Sequence, residues 1–210
     1  MGVVAGRSVT TGRLLSCGLV AGPLFVVTFL LQGASKGSGY DWTRHPVSSL
    51  ALGDHGWLQT ANFIVTGLLT VAFAVGLWRA GSRAGAVLIG VWGVGLVGAG
   101  MFVTDPVSGF PIGTPDALEY ITVGALHDAF SVPAFVALAA AQVGLSRGRG
   151  WKWLTYSLLN ATAFVVCFPL ASTGFSQNAS LVDVAGLFQL LAVIIGLTWT
   201  VLLAVRVLRH

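Results

Sequence analysis

Six stretches of this chain are apolar and almost uncharged over the length needed to cross a bilayer: 14–31, 57–78, 86–104, 124–145, 153–172 and 184–205. About 20 apolar residues in helical form cover the roughly 30 Å of hydrocarbon in a membrane. These runs occupy most of the 210 residues. They leave room for one membrane domain spanning 1–210 and no separate soluble domain. A composition that is 55% hydrophobic and 9% charged, with mean hydropathy +0.86, is more apolar surface than a soluble domain of this size can bury. The runs are continuous rather than alternating, which excludes a transmembrane β-barrel. The expected fold is therefore all-α, a six-transmembrane-helix bundle.

Charge placement sets the expected topology. Arg7, Arg13, Arg79, Arg83, Arg147, Arg149, Lys152, Arg206 and Arg209 fall on one side of the six-span arrangement. Only Lys36 and Arg44 fall on the other. An excess of basic residues marks the cytoplasmic side, so both termini are expected in the cytoplasm. The net charge of +4 thus reports topology, and nothing in the chain points to nucleic acid. The first run is longer than a usual signal-peptide core and is expected to be retained as a span. Cys17 lies near the inner end of the first run. Cys167 lies about 21 Å deeper in the fifth, at about 1.5 Å per residue, so no disulfide is expected.

All seven acids (Asp41, Asp54, Asp105, Asp116, Glu119, Asp128, Asp183) lie on the outer side of this arrangement, with His45, His55 and His127. Acids contribute little to the topology rule, so their one-sidedness needs another cause. The segment GYDWTRHPVSSLALGDHGW, residues 39–57, holds four of these groups together with Arg44. Within it, 46–53 has a helix start and a glycine stop. A short helix is expected at the outer interface, its Val47, Leu50 and Leu52 side in the membrane boundary. Asp41, Arg44 and His45 precede it; Asp54 and His55 follow.

Three further features extend this layer inward. His55, Gln59, Asn62 and Thr66 recur at helical spacing and share one face of the second span. Such a face points into a bundle, either as interhelical hydrogen bonding or as a polar pocket. The fourth span opens GALHDAFSVP, with His127 and Ser131 on one face and Asp128 beside them. Asp105 closes the third span at the same depth. The third span itself is crowded with glycine (Gly90, Gly93, Gly95, Gly98, Gly100), which allows close helix approach.

These residues support several chemistries. An aspartate–histidine set of His127, Asp128, Asp105 and His55 suits acid–base work on a lipid or isoprenoid-like amphiphile. Asp41, Arg44, His45, Asp54, Gln59, Asn62 and Ser131 would bind the substrate, with Arg44 holding a phosphate or carboxylate headgroup. The same residues suit a non-catalytic protein that binds lipid headgroups or organises a membrane complex. A small-solute transporter needs a polar path to both sides, and no ionisable residue lies at mid-depth. No cofactor is expected. Zinc held by the three histidines is the alternative, although their spacing matches no metal signature. The expected partners are membrane lipids and an amphiphilic small molecule.

The runs LLSCGLVAGPLF, GYDWTRHPVSSLALGDHGWLQTANFIVTGLL, TDPVSGFPIGTP and GALHD resemble the bacterial integral membrane family of domain of unknown function 998 (DUF998) over roughly residues 13–205. That resemblance implies a six-span protein of a bacterial plasma membrane and supplies no mechanism. A serine-containing turn after the first span and a histidine opening the fourth are also similar to the Frag1/DRAM/Sfk1 membrane family. That second resemblance implies a link to lipid organisation.

Overall fold

The structure is a computed structural model that describes residues 8–209. Arg7 and His210 lie outside the described residues. Six helices account for the six apolar runs: α1 Val9–Ser35, α2 Gly56–Arg79, α3 Arg83–Met101, α4 Thr122–Gly144, α5 Trp151–Phe175 and α6 Ala185–Arg209. Each is long and apolar enough to cross a membrane, and no strand occurs among the described residues. Helices α1, α2 and α5 reach or pass their expected limits, and α4 and α6 fall one residue short at one end. The larger shortfall is the end of α3, where the chain turns extended at Phe102 on its way to Pro106. A proline disfavours helix in the residue before it, here Asp105.

The helices pack as a ring in chain order, with α6 returning to α1. The α2–α3 contact is the most intimate. A Cβ on Gly67 would lie 2.7 Å from the Gly93 carbonyl, and one on Gly93 would lie 3.0 Å from that of Gly67. The two backbones therefore touch, as small residues permit in a membrane bundle. The α4–α5 seam is by contrast sparse. Pro133 and Pro169 lie on its two helices.

One end of the bundle carries all seven acids and is called here the acidic end. It is formed by the α1–α2, α3–α4 and α5–α6 connections. The other, basic end is formed by the α2–α3 and α4–α5 connections, where Trp153 donates to the Leu145 carbonyl (3.0 Å) beneath the Arg206 guanidinium.

One expectation requires correction here. The helical piece in the first connection is a five-residue 3₁₀ helix, Val47–Ala51, and it does not offer an apolar side to the membrane boundary. Leu50 is 0% exposed and Val47 is buried in the same core as Phe25 and Phe29. Gln32 of α1 donates to the Leu50 carbonyl (2.9 Å), and Gln189 of α6 accepts from the Val47 N–H (2.7 Å). These bonds satisfy backbone that hydrocarbon would leave unpaired. Trp57, Trp78 and Trp151 are exposed at helix ends, whereas Trp153 is buried and Trp42 packs against Phe29 and Tyr40.

Candidate functional site

A chamber of about 350 Å³ lies inside the ring. Its deep part is apolar: Trp92 and Leu96 of α3, Ala134 and Phe135 of α4, Phe168 and Ala171 of α5, Val193 and Leu197 of α6. Its wall towards the acidic end is polar: Ser48, Thr104, Asp105, Tyr120, His127, Asp128, Ser131, Ser172, Ser176 and Gln189. Pro46, Val47 and Ser48 form part of its roof, so the first connection does reach the chamber. Val132, Ser172 and Ser176 line it and are also exposed on the outside of the bundle. The chamber therefore opens sideways between α4 and α5, along the sparse seam.

Asp105 and His127 are its most constrained polar groups. Asp105 is 2% exposed, and its Oδ2 accepts the N–H of Ile121, the residue before α4, at 3.0 Å. Gly124 sits directly beneath; a Cβ there would overlap the Asp105 carboxylate. That is why the α4 opening reads G-A-L-H-D. A carboxylate is stabilised at this position by the unpaired N–H groups and the dipole of a helix N-terminus. His127 is 4% exposed, and its Nδ1 lies 3.0 Å from the Ala99 carbonyl and 2.8 Å from that of Phe102. Both oxygens belong to the end of α3, where carbonyls lack helical partners. A ring nitrogen facing two carbonyls must carry the proton. In the neutral ring this leaves Nε2 unprotonated, and Nε2 has no protein partner. Phe63 holds the ring edge-on at 6.0 Å.

Asp128 lies beside His127 and accepts from the Tyr120 hydroxyl at 2.9 Å through Oδ2. Hydrogen bonding to Asp128, with burial second, raises the Tyr120 pKa, so this phenol is a proton donor at neutral pH. Ser131, one turn beyond His127, also lines the chamber. The structure thus brings together four of the residues expected from sequence: Asp105, His127, Asp128 and Ser131.

The first connection behaves otherwise. The Asp41 N–H donates to His45 Nδ1 (2.9 Å), which leaves Nε2 to donate to the Ser108 carbonyl (3.2 Å). Both ring nitrogens of His45 are consumed, and the ring packs at a tilt against both Tyr40 and Phe110, which also touch each other edge-on. Burial pushes the His45 pKa below its usual value. The Arg44 charge adds to this, against the Ser108 carbonyl and the Asp41 carboxylate. Asp41 bonds the Thr43 backbone and hydroxyl (both 2.8 Å), and that bonding keeps its pKa low.

The Arg44 guanidinium reaches Asp116 (2.9 Å), Asp183 (3.2 Å) and the Ser108 carbonyl (3.3 Å). It laces all three acidic-end connections together and is committed to protein partners. Asp54 and His55 are exposed, away from the chamber. His55 adopts a left-handed backbone (φ 60°) just before α2. Its carbonyl, like that of Leu50, accepts from Gln32, while Lys36 donates to the Asp54 carbonyl.

The α2 stripe faces α1 and does not line the chamber. Asn62 donates to the Phe25 carbonyl (3.1 Å) and to Gln59 (3.2 Å), and Gln59 is fully buried. Of the two roles that spacing allowed, Asn62 fills the interhelical one, while Gln59 Nε2, Asn62 Oδ1 and Thr66 Oγ1 are buried without a hydrogen-bond partner. Among the described residues, no group of three His, Cys, Asp or Glu side chains is arranged to hold a metal.

Sequence reasoning did not single out Tyr120, Gln32 or Gln189. The two glutamines carried a usable signal, since an amide inside an apolar run, as Gln189 is, or at its edge, as Gln32 is, costs free energy unless it faces a partner. Tyr120 carried none: its link to Asp128 depends on how the chain re-enters the bundle.

The fold and its lateral chamber define a multi-pass helical membrane protein. The chain belongs to the family described as protein of unknown function DUF998, whose model matches residues 19–206. No curated protein and no solved structure matches the chain.

Proposed function

We propose that this protein binds a single-chain amphiphile that enters the chamber from the membrane between α4 and α5. The supporting observation is the chamber itself, with an aromatic and aliphatic interior beneath a wall of Asp105, His127, Asp128 and Ser131. A volume of about 350 Å³ falls in the range of small-molecule sites, and such sites combine apolar walls with a few placed polar groups. The tail would lie against Phe135 and Phe168, and the polar head against the carboxylates. With the basic end in the cytoplasm, the head would sit at the outer face of a bacterial plasma membrane. The test is photolabelling in phosphatidylcholine nanodiscs with a diazirine-bearing long-chain alcohol. Label on the chamber side of α4 and α5 supports the reading. Label spread evenly over lipid-facing residues such as Val27 and Val65 rejects it.

A second reading adds acid–base chemistry at His127. It is favoured by the Nδ1 contacts, which leave Nε2 as the unprotonated nitrogen facing the chamber. In this reading Nε2 accepts a proton from the bound head group, and Tyr120 or Asp128 manages proton return. His127→Asn keeps an N–H for the α3 carbonyls and removes the base. Lipid species that accumulate both in a deletion strain and in the His127→Asn strain would support catalysis. A wild-type lipid profile in the His127→Asn strain would reduce the site to binding.

A further inference from the structure

We infer that the chamber selects amphiphiles whose head groups donate hydrogen bonds, amines and polyols, and excludes those ending in phosphate or carboxylate. This rests on the chamber being an amphiphile site, and it follows from the sign of what remains free there. Asp105 uses Oδ2 for Ile121 and Asp128 uses Oδ2 for Tyr120, so each retains Oδ1 without a protein donor. His127 spends Nδ1 on the α3 carbonyls and retains Nε2, an acceptor on a side chain that is otherwise buried.

The donors facing the chamber are neutral by comparison. The Tyr120 hydroxyl is already given to Asp128, and the Thr104 hydroxyl leans on the Asp105 carbonyl at 3.5 Å. The Ser48 and Ser131 hydroxyls, the Gln189 amide nitrogen and the Trp92 indole N–H keep their protons free, and all of these donors are uncharged. Among the described residues, no lysine or arginine lines the chamber. The two basic side chains of the acidic end are engaged elsewhere: Arg44 with Asp116 and Asp183, Lys36 with the Asp54 carbonyl. An anionic head would meet two carboxylates, one of them nearly fully buried, and no cation would offset its desolvation. An ammonium or hydroxyl head would instead supply the protons that Asp105, Asp128 and His127 lack, through charge-assisted bonds.

The experiment is competition for the photolabel in phosphatidylcholine nanodiscs. Dodecylamine, dodecyl glucoside and dodecyl phosphate are compared at equal membrane-bound fraction. The amine and the glucoside are expected to displace the chamber label, and the phosphate to require about tenfold more, a difference of about 1.4 kcal/mol. Asp128→Asn, at a half-buried position, is expected to weaken the amine about tenfold while leaving the glucoside within a few-fold. Phosphate that competes as well as the other two overturns the selectivity. In that outcome, displacement of chamber label by all three leaves the amphiphile site standing. If none of the three displaces label and none resides in the chamber, the site reading fails and the selectivity falls with it.

Discussion

Asp105 and His127 are bonded to each other's helices: the acid that follows α3 holds the start of α4, and the histidine of α4 holds the end of α3. This exchange fixes the polar wall of the chamber. It also explains how a carboxylate and an imidazole can be nearly fully buried at a helix end. Each removes unpaired backbone groups that the membrane would penalise.

Removing either partner should therefore cost stability before it costs function. His127→Phe keeps the ring volume and loses the Nδ1–H; it is expected to destabilise by about 1–3 kcal/mol. Asp105→Ala should cost a similar amount, about 1–3 kcal/mol, because it strips the start of α4. The double variant should cost less than the sum, since both act on one helix junction. Thermal unfolding in nanodiscs measures all three; strict additivity would show that the two residues are uncoupled.

His45 gives the roof a pH dependence with a definite sign. Its pKa in the folded protein lies below the ordinary 6.5, chiefly through burial. Between that lowered value and 6.5 the undocked loop binds more protons than the docked one. Docking is then fully stable above about pH 6.5 and weakens as the pH falls below it. Hydrogen exchange of residues 41–50 should be faster at about pH 5.5 than at about pH 7.5, after correction for intrinsic rates. The His45→Gln variant should lose most of that difference. Protection that rises on acidification would contradict the assignment.

Arg44 ties three connections together, so its loss should loosen segments distant in sequence. Arg44→Ala is expected to raise exchange in the loops around Asp116 and Asp183 together, as should added salt. The carboxylates are exposed, so each ion pair contributes about 1 kcal/mol or less. Arg44→Lys should restore little, because one ammonium cannot span the same three acceptors as a planar fork. An unchanged second loop in Arg44→Ala would refute the clamp.

The α2 stripe separates packing from binding. Asn62→Leu removes the bonds to Phe25 and Gln59 and should destabilise the α1–α2 pair by about 1 kcal/mol, typical of hydrogen bonds between membrane helices. Amphiphile labelling should be unchanged. Lost labelling in a fully folded Asn62→Leu protein would return the stripe to the site.

The six helices were readable because an uninterrupted apolar run has one stable arrangement in hydrocarbon. Clustering of the acids at one end was readable for the same reason. Their division of labour was not. Whether an aspartate faces the chamber or an arginine depends on loop contacts across long stretches of sequence, as with Arg44 and Asp116, 72 residues apart. His45 and His127 look alike in sequence, yet one has both nitrogens bonded and the other keeps one free. Periodicity placed Gln59 and Asn62 on one face correctly, but could not say whether that face met a helix or a cavity.

The most direct test of the central claim compares two tryptophan substitutions one turn apart on α4. Val132 lines the chamber mouth and is 46% exposed; Val136 is 62% exposed and lies outside the chamber. Val132→Trp should plug the opening and reduce chamber labelling by the long-chain probe at least about tenfold, as expected when a ligand is sterically excluded from its pocket. Val136→Trp should leave labelling unchanged. Equal labelling in the two variants, with both folded, would contradict a lateral amphiphile chamber between α4 and α5.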